Sequence, residues 1–431
     1  MKKVIPGLKF QIIPDVIYFS LLPFVIVLYL LKKKYHWGWL ERLGLGNWRK
    51  ILNQEGKFIW VHSVSLGEAR LGYLVYSRLK REYPSYKFLL TTVTTTGYSF
   101  LKRNLYPEDS LAYLPLDFSF LVRRIFQKLN IRLLLILETE LWPNLIIASA
   151  KYNCPSGLIN ARISRRAFCR YRKFYFLFAR IINILDFIVA SGEKNMERFL
   201  ILGREKEECF TIGSLKFDLE PPGVREEGRI LKLAHYLREK KLKLLVAGST
   251  HYPEDISILE LYFQIKEKYS DWALLIAPRH PGRIHGLNEF LKSKGISPVF
   301  FSSGFKFKDD ISIFVLDEVG YLASFYSLGE VVFVGGSLIP RGGHNIIEPA
   351  FFKKAIFLGP HYDNFEDIVE EFNNNGAVVI LDKKRPVFPQ IEDLIQNSDI
   401  RTQLGERAYQ VVMKNRGNIE RVFRVINRHL R

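Results

Sequence analysis

Short apolar runs that do not alternate with polar residues recur along the chain at helix-length intervals. The first series is KFIWVH (Lys57–His62), YKFLLTT (Tyr86–Thr92), RLLLIL (Arg132–Leu137), SGLIN (Ser156–Asn160) and FIVAS (Phe187–Ser191). A second series begins near Phe210 and continues as LKLLVAG, WALLIAP, SIFVLD, VVFVGG, AIFLGP and AVVILD. A continuous apolar run bounded by turn residues is the pattern of a parallel strand covered on both faces. Two such series predict an α/β protein with two Rossmann-like domains and a cleft between them. The expected divisions are 1–35, 36–213, 214–400 and a basic C-terminal helix over 401–431. Pro221, Pro222 and Gly223 mark the linker region.

One apolar run has a different character. Val16–Leu31 (VIYFSLLPFVIVLYLL) carries no charge, and Ile12 and Ile13 extend it past Pro14 and Asp15. Its length approaches that of a bilayer-spanning helix, about 20 residues. Lys32, Lys33 and Lys34 follow directly, and no small-residue cleavage site does. The segment is therefore expected to be an N-terminal membrane anchor, spanning or interfacial. The excess of Lys and Arg after it places the bulk of the chain on the cytoplasmic side.

Charge sharpens this picture. Of the 431 residues, 63 are Lys or Arg and 44 Asp or Glu, a formal net charge of +19. Through Gly213 there are 33 basic against 16 acidic residues, and beyond it 30 against 28. The basic half suits phosphorylated or anionic partners. Within it, Arg162–Arg180 holds seven basic residues and no acid, interleaved with Phe168, Tyr171, Phe174, Tyr175, Phe176 and Phe178. Next to a membrane anchor, such a segment reads as a face for anionic lipid or a glycolipid phosphate rather than for nucleic acid. The three cysteines are far apart and no zinc-ligand spacing occurs, so neither a disulfide framework nor a metal site is expected.

Ligands of open α/β sheets bind at the carboxyl ends of strands, and there the polar residues gather. Glu68 follows the first run. Glu138 and Glu140 follow RLLLIL, and alternation along an extended segment would let only one of them face the cleft. Ser249, Thr250 and His251 follow LKLLVAG. Arg279, His280 and Arg283 follow WALLIAP, as a phosphate or carboxylate clamp. After VVFVGG comes the densest stretch, Val332–Pro349, with two Gly-Gly pairs, His344, Asn345 and Glu348. Strand, glycine turn and helix N-terminus together suggest backbone N–H groups cradling a phosphate. Ordinary capping of a tight turn is the simpler alternative.

The ordered set HSVSLGE, TTVTTTG, YLPLD, ETELWPN, NARIS, GSLKFD, AGSTH, PRHPGR, GGSLIPRGGHNIIEPA and GPHYDNF resembles the bacterial 3-deoxy-D-manno-oct-2-ulosonic acid (Kdo) transferases. The resemblance implies the GT-B glycosyltransferase fold. It also implies transfer of Kdo from CMP-Kdo to a lipid A precursor (lipid IVA) at the cytoplasmic face of the inner membrane. The anionic membrane surface is then a partner, nucleic acid is not, and no cofactor besides the donor or metal is expected. By the same resemblance, Glu68 is the general base and Glu138 and Lys216 support the transition state. The CMP-binding segments are Pro278 and Arg279, then Val319, Gly320 and Tyr321, then the loop containing Gly336, Ser337, Gly343, His344, Asn345, Ile346, Ile347 and Glu348. Tyr321 departs from the Glu usual in the family, so a side-chain contact there does not carry over. The implied reaction is inverting: Glu68 deprotonates the acceptor hydroxyl, while Arg279 and the Gly335–Asn345 amides stabilise the leaving phosphate. A nucleotide-sugar epimerase of similar fold and a non-catalytic glycolipid-binding protein are the alternatives.

Overall fold

The computed structural model describes residues 12–20, 23, 27, 38–220, 223–225, 228–304 and 311–430. The chain divides into one unit made of residues 1–219 and 417–431 and a second of residues 220–416. The boundary falls between Leu219 and Glu220, six residues beyond the expected one. Pro221 and Pro222 lie outside the described residues.

The first unit holds seven strands: β1 Lys57–His62, β2 Lys87–Thr92, β3 Ser110–Tyr113, β4 Asn130–Leu137, β5 Ser156–Ala161, β6 Phe187–Ala190 and β7 Cys209–Thr211. Their order is β3-β2-β1-β4-β5-β6-β7, with every neighbouring pair parallel. Alternate residues of one strand enter opposite layers. Phe58 and Trp60 pack in one core, and Ile59 and Val61 in the other, all essentially inaccessible to water. This double burial is why the runs read as continuously apolar.

The second unit repeats the plan with β8 Lys243–Thr250, β9 Trp272–Pro278, β10 Val299–Phe300, β11 Ile313–Val315, β12 Val331–Val334, β13 Ala355–Leu358 and β14 Val379–Ile380. The order is β10-β11-β9-β8-β12-β13-β14, again parallel throughout. In each sheet the strand order reverses beside the first strand, between β1 and β4 and between β8 and β12. Those are the two points where such sheets open a binding crevice. The brief strands β3 and β10 escaped the sequence pattern because two to four residues are too few to define a period.

The segment 401–431 is not one helix. Ser398–Lys414 packs in the second unit, while Asn418–His429 belongs to the first, with Gly417 at φ 91° between them. Asp218 caps the returning helix, accepting from the Ile419 N–H at 2.6 Å and from the Gly417 N–H. Arg401, the first residue of the expected basic helix, is buried and donates to the Leu394 and Ile395 carbonyls at 3.1 and 3.2 Å. It thereby satisfies groups that the end of helix Val387–Gln396 leaves open.

Of the expected anchor Val16–Leu31, residues 21, 22, 24–26 and 28–31 lie outside the described residues. Among the described residues, no helix is long and apolar enough to cross a membrane. Residues 12–20 are helical. There Asp15, which interrupts the apolar run, accepts from the Ser119 N–H and the Asn144 amide, both at 2.9 Å. It thus serves the N-terminus of helix Ser119–Lys128 from 104 residues away.

Candidate active site

In the first unit, the loops after β1, β4 and β5 and the turn at Lys216 form one charged cluster. Helix Leu66–Glu82 begins with a capping box. Ser65 Oγ accepts from the Glu68 N–H at 3.4 Å and donates to Glu68 Oε1 at 2.8 Å. Glu68 Oε2 accepts from the Val64 N–H at 2.8 Å. The capping alternative for Glu68 is therefore real. It does not exhaust the carboxylate, which has about four acceptor sites. Glu68 is only 8% exposed. Burial first, then the charge of Glu138, push its carboxyl up to about 7.

Glu138, at the end of β4, has φ 56°. Its Oε2 meets Arg162 Nε at 2.8 Å and its Oε1 meets Lys216 Nζ at 3.3 Å. Burial alone would raise this carboxyl, but the Lys216 and Arg162 charges outweigh it and hold it below the usual carboxylate range. Lys216 is fixed from several sides. Ser214 Oγ accepts its N–H at 3.3 Å, Asn160 Oδ1 accepts the Leu215 N–H at 2.9 Å, and Asp218 caps the C-terminal helix. Burial lowers the Lys216 ammonium, with Glu138 opposing.

Strict alternation of Glu138 and Glu140 does not hold. The left-handed turn at Glu138 ends the extended segment, and both carboxyls come within electrostatic reach of Glu68. Burial, then Glu68 and Glu138, push Glu140 up to about 7. His62, which opens the HSVSLGE motif, is a core residue. It is bonded through Nδ1 to Thr91 Oγ1 at 2.9 Å and pushed down to about 3 by burial.

In the second unit, part of the expected phosphate cradle is already occupied from within the protein. Glu254, fully buried on helix Glu254–Lys268, accepts from the N–H groups of Gly336 (2.7 Å), Ser337 (3.0 Å), Leu338 (2.9 Å) and His251 (3.1 Å). The Gly343 N–H donates to the Gly336 carbonyl at 2.8 Å. Amides of Gly336, Ser337 and Gly343 that were expected to hold phosphate are thus spent inside the protein. The glycines serve packing instead. A Cβ at Gly335 would lie 2.4 Å from the Ser249 carbonyl oxygen, so only glycine lets the ends of β8 and β12 close on each other. Ser337 is likewise internal, donating to the Val334 carbonyl at 2.6 Å and accepting from the Gly359 N–H at 2.9 Å.

Beyond those occupied amides the loop presents side chains. His344 Nε2 lies 2.9 Å from His251 Nε2, and the two rings are 4° from parallel with centroids 5.2 Å apart, so they meet edge to edge through these nitrogens. His280 meets His251 edge-on at 5.4 Å. Arg279 is exposed, with its N–H on the Thr250 carbonyl at 2.8 Å, and Pro278 ends β9. Asn345 Oδ1 caps Ile347 at 3.1 Å, and its amide lies 3.4 Å from Glu348 Oε1. Ile346 and Ile347 are buried and orient the short helix Ile347–Phe351. Val319 is 82% exposed beside Gly320 at φ 96°. Tyr321 packs against Phe301 with ring centroids 4.6 Å apart and planes tilted by 54°, and lies under Arg225, also at 4.6 Å. Arg283 is drawn away to Tyr252 and Asp255.

Sequence reasoning missed two residues. Arg162 was counted with the basic segment, although its place just after β5 marked it as a site residue. Glu254 carried no signal, because its role depends on a helix lying under another strand's loop.

Two tandem doubly wound units, with acid–base groups at the carboxyl edge of one sheet and cationic groups at that of the other, give the chain a GT-B-like fold. The fold matches a glycosyltransferase from Rickettsia africae (TM-score 0.60, 14% identity, 88% of this chain and 100% of that one). It also matches the UDP-GlcNAc 2-epimerase of Neisseria meningitidis bound to UDP-GlcNAc (TM-score 0.56, 12% identity, 86% of this chain and 100% of that one). At these identities the likeness is one of fold and leaves both chemistries open. The sequence separates them. Residues 37–219 match the family model described as 3-deoxy-D-manno-octulosonic-acid transferase (kdotransferase). The chain is 30% identical over 373 residues to the 3-deoxy-D-manno-octulosonic acid transferase of Haemophilus influenzae, covering 86% of this chain and 87% of that one. The chain belongs to the 3-deoxy-D-manno-octulosonic acid transferase family, and it is a glycosyltransferase.

Proposed function

We propose that the protein transfers Kdo from CMP-Kdo to a hydroxyl of a lipid A precursor, with inversion and with Glu68 as general base. Family membership supplies the donor. The state of Glu68 supplies the base: a buried carboxyl raised to about 7 is ionised often enough to accept a proton, and basic enough to pull one, near neutral pH. Departure of CMP builds cationic character at the ketose carbon and negative charge on phosphate. In this reading Lys216, held at 3.3 Å from Glu138, holds the donor's carboxylate or phosphate, while the ionised Glu138 stabilises developing positive charge. Asn345, Glu348 and the Val319–Tyr321 segment read the nucleotide, and Arg279 takes the phosphate without a metal.

The same reading places the N-terminal run and the basic aromatic face against the cytoplasmic leaflet of the inner membrane. Phe174, Tyr175 and Phe176 are 56%, 47% and 63% exposed, and Arg165, Arg166, Arg170, Arg172, Lys173 and Arg180 around them are also exposed. Exposed aromatics ringed by cations suit an anionic lipid surface.

The direct test is incubation with CMP-Kdo and lipid IVA. The expected result is CMP release matched by a lipid heavier by whole Kdo units in mass spectra, and their absence would remove the proposal.

A further inference from the structure

Helical residues 12–20 pack beside the acid cluster, and their polar side chains are spent there. Helix Pro143–Lys151 starts just after the loop that carries Glu138 and Glu140, and its N-cap residue Trp142 supplies no side-chain cap. Asp117, from the loop after β3, caps it instead. Its Oδ2 accepts from the Asn144 N–H and its Oδ1 from the Leu145 N–H, both at 2.9 Å. Tyr18 donates its hydroxyl to this buried carboxyl. The Asn144 side-chain amide donates to the Asp117 carbonyl at 2.5 Å and to Asp15 Oδ1 at 2.9 Å. Phe118 completes the seat, with Phe19 at 4.6 Å and Tyr18 edge-on at 6.2 Å. One end of the acid-bearing loop thus hangs on residues 12–20. At the other end, Thr139 Oγ1 accepts from the Arg162 N–H at 2.9 Å and donates to the Arg162 carbonyl at 2.5 Å. Trp142 lies edge-on to His62 with centroids 5.8 Å apart. Between these ties, Glu140 makes no hydrogen bond or ion pair among the described residues, so the backbone sets its place. Glu68 and Glu138, by contrast, are held by bonds to their own carboxylates.

We propose that Asp15 and Tyr18 are positioning residues for the transfer reaction: through Asn144 and Asp117 they fix the start of helix Pro143–Lys151 and so hold Glu140 against Glu68. This rests on the reading of Glu68 as base given above. Among the described residues, the titratable groups that act on or face Glu140 come from four elements. They are Glu68 from helix Leu66–Glu82, Glu138 from the end of β4, Tyr18 from residues 12–20 and Tyr171 from helix Arg165–Lys173. The cations of the cluster, Arg162 and Lys216, are engaged by Glu138. A like charge at close range favours the protonated form of both partners. Glu140 held in place therefore makes Glu68 a stronger base, in the same direction as Glu138 does. Releasing the tie lets residues 140–142 relax toward solvent. That takes a like charge away from Glu68 and burial away from Glu140, and the acidity of both rises. The helix that leads into the N-terminal apolar run is then part of the active-site scaffold, and the chemistry depends on its seating even when no bilayer is present.

The test uses the full chain in detergent. Tyr18→Phe deletes one hydroxyl and keeps the ring on Phe118, so it leaves the packing in place. Asp15→Ala removes the acceptor of the Asn144 amide, and Asp15→Asn restores an accepting oxygen. Carboxyl carbon NMR of glutamate-labelled protein reads the titrations of Glu140 and Glu68 without any substrate, each signal being assigned by its loss in the Glu→Gln variant. Tyr18→Phe and Asp15→Ala should move both midpoints down by about half a pH unit or more, and Asp15→Asn by less. With CMP-Kdo and detergent-dispersed lipid IVA, the pH–rate profile should shift the same way. The plateau kcat should fall about tenfold, with KM for CMP-Kdo nearly unchanged. On a Glu140→Gln background, Tyr18→Phe should shift the profile no further, because the two residues act through one contact chain. Val16→Ala, on the same helix but exposed, is the control that should match wild type. An unchanged Glu140 titration in folded Tyr18→Phe and Asp15→Ala would overturn the proposal. So would a profile shift by Tyr18→Phe that persists in full without the Glu140 carboxyl. If the wild type releases no CMP from CMP-Kdo, the functional reading fails, and the titrations still decide whether these residues place Glu140. If Kdo is transferred and the titrations do not move, only this inference fails.

Discussion

Glu68→Gln separates a cap from a base, because the two roles predict opposite changes. As a capping-box residue, Glu68 stabilises helix Leu66–Glu82 through the Val64 N–H and Ser65 Oγ. Glutamine also fits a capping box, so the loss on that account is at most about 1 kcal/mol. As an ionisable group, Glu68 destabilises the fold. Its carboxyl sits at about 7 in the folded protein against 4.5 ordinarily, so the folded state binds more protons between those values. Stability from this group is full below about pH 4.5, falls as pH rises toward 7, and stays lost above, with a total near 3 kcal/mol at about 1.4 kcal/mol per unit. Glutamine removes that cost. The variant should therefore melt no lower than wild type at pH 8, and a few degrees higher where the ionisation cost dominates. Its turnover should fall by about 10² or more. CMP release followed from pH 5.5 to 8.5 completes the test. Wild-type kcat/KM should rise tenfold per pH unit below 7 and level off above, whereas the variant should be flat. A variant that keeps turnover within tenfold while melting several degrees lower at pH 8 would falsify the base assignment and leave only the cap.

Other outcomes follow from the same structure. Lys216→Met leaves the buried Glu138 with Arg162 but without its second cation; breaking such a pair costs roughly 3–5 kcal/mol in chemical denaturation. It should also move the pH–rate midpoint upward, since a cation beside the acid cluster is gone. Glu254→Gln replaces an acceptor-only carboxylate facing four N–H groups with an amide that has one accepting oxygen. Denaturation of the second unit should shift by about 3 kcal/mol, with CMP affinity lost alongside. Gly336→Ala introduces a left-handed residue, costing about 1–2 kcal/mol, and pushes on His344; CMP affinity should drop while lipid binding is unchanged. Raising salt from 50 to 300 mM should weaken binding to anionic vesicles and lipid acceptor more than binding of CMP-Kdo, because exposed charges are screened more than partly buried ones. Equal weakening would argue against the division of labour between the two units.

The sequence by itself determined the architecture and the addresses of the candidate residues. A strand buried on both faces must be apolar at consecutive positions, so β1, β2, β4, β5, β6, β8, β9, β12 and β13 announced themselves, and the carboxyl-end rule pointed to Glu68, Glu138, His251 and Arg279. Tertiary structure decided what those addresses hold. Alternation along a strand cannot foresee the φ of 56° at Glu138 that brings it together with Glu68, Arg162 and Lys216 and draws Glu140 toward them. Glycine content cannot show whether an exposed amide nest awaits a phosphate or already contains a carboxylate. Here the answer lay 82 residues away, in Glu254. Hydrogen-bonding capacity is a local property of the chain, but its use depends on which distant group arrives first, and only the packed fold settles that competition.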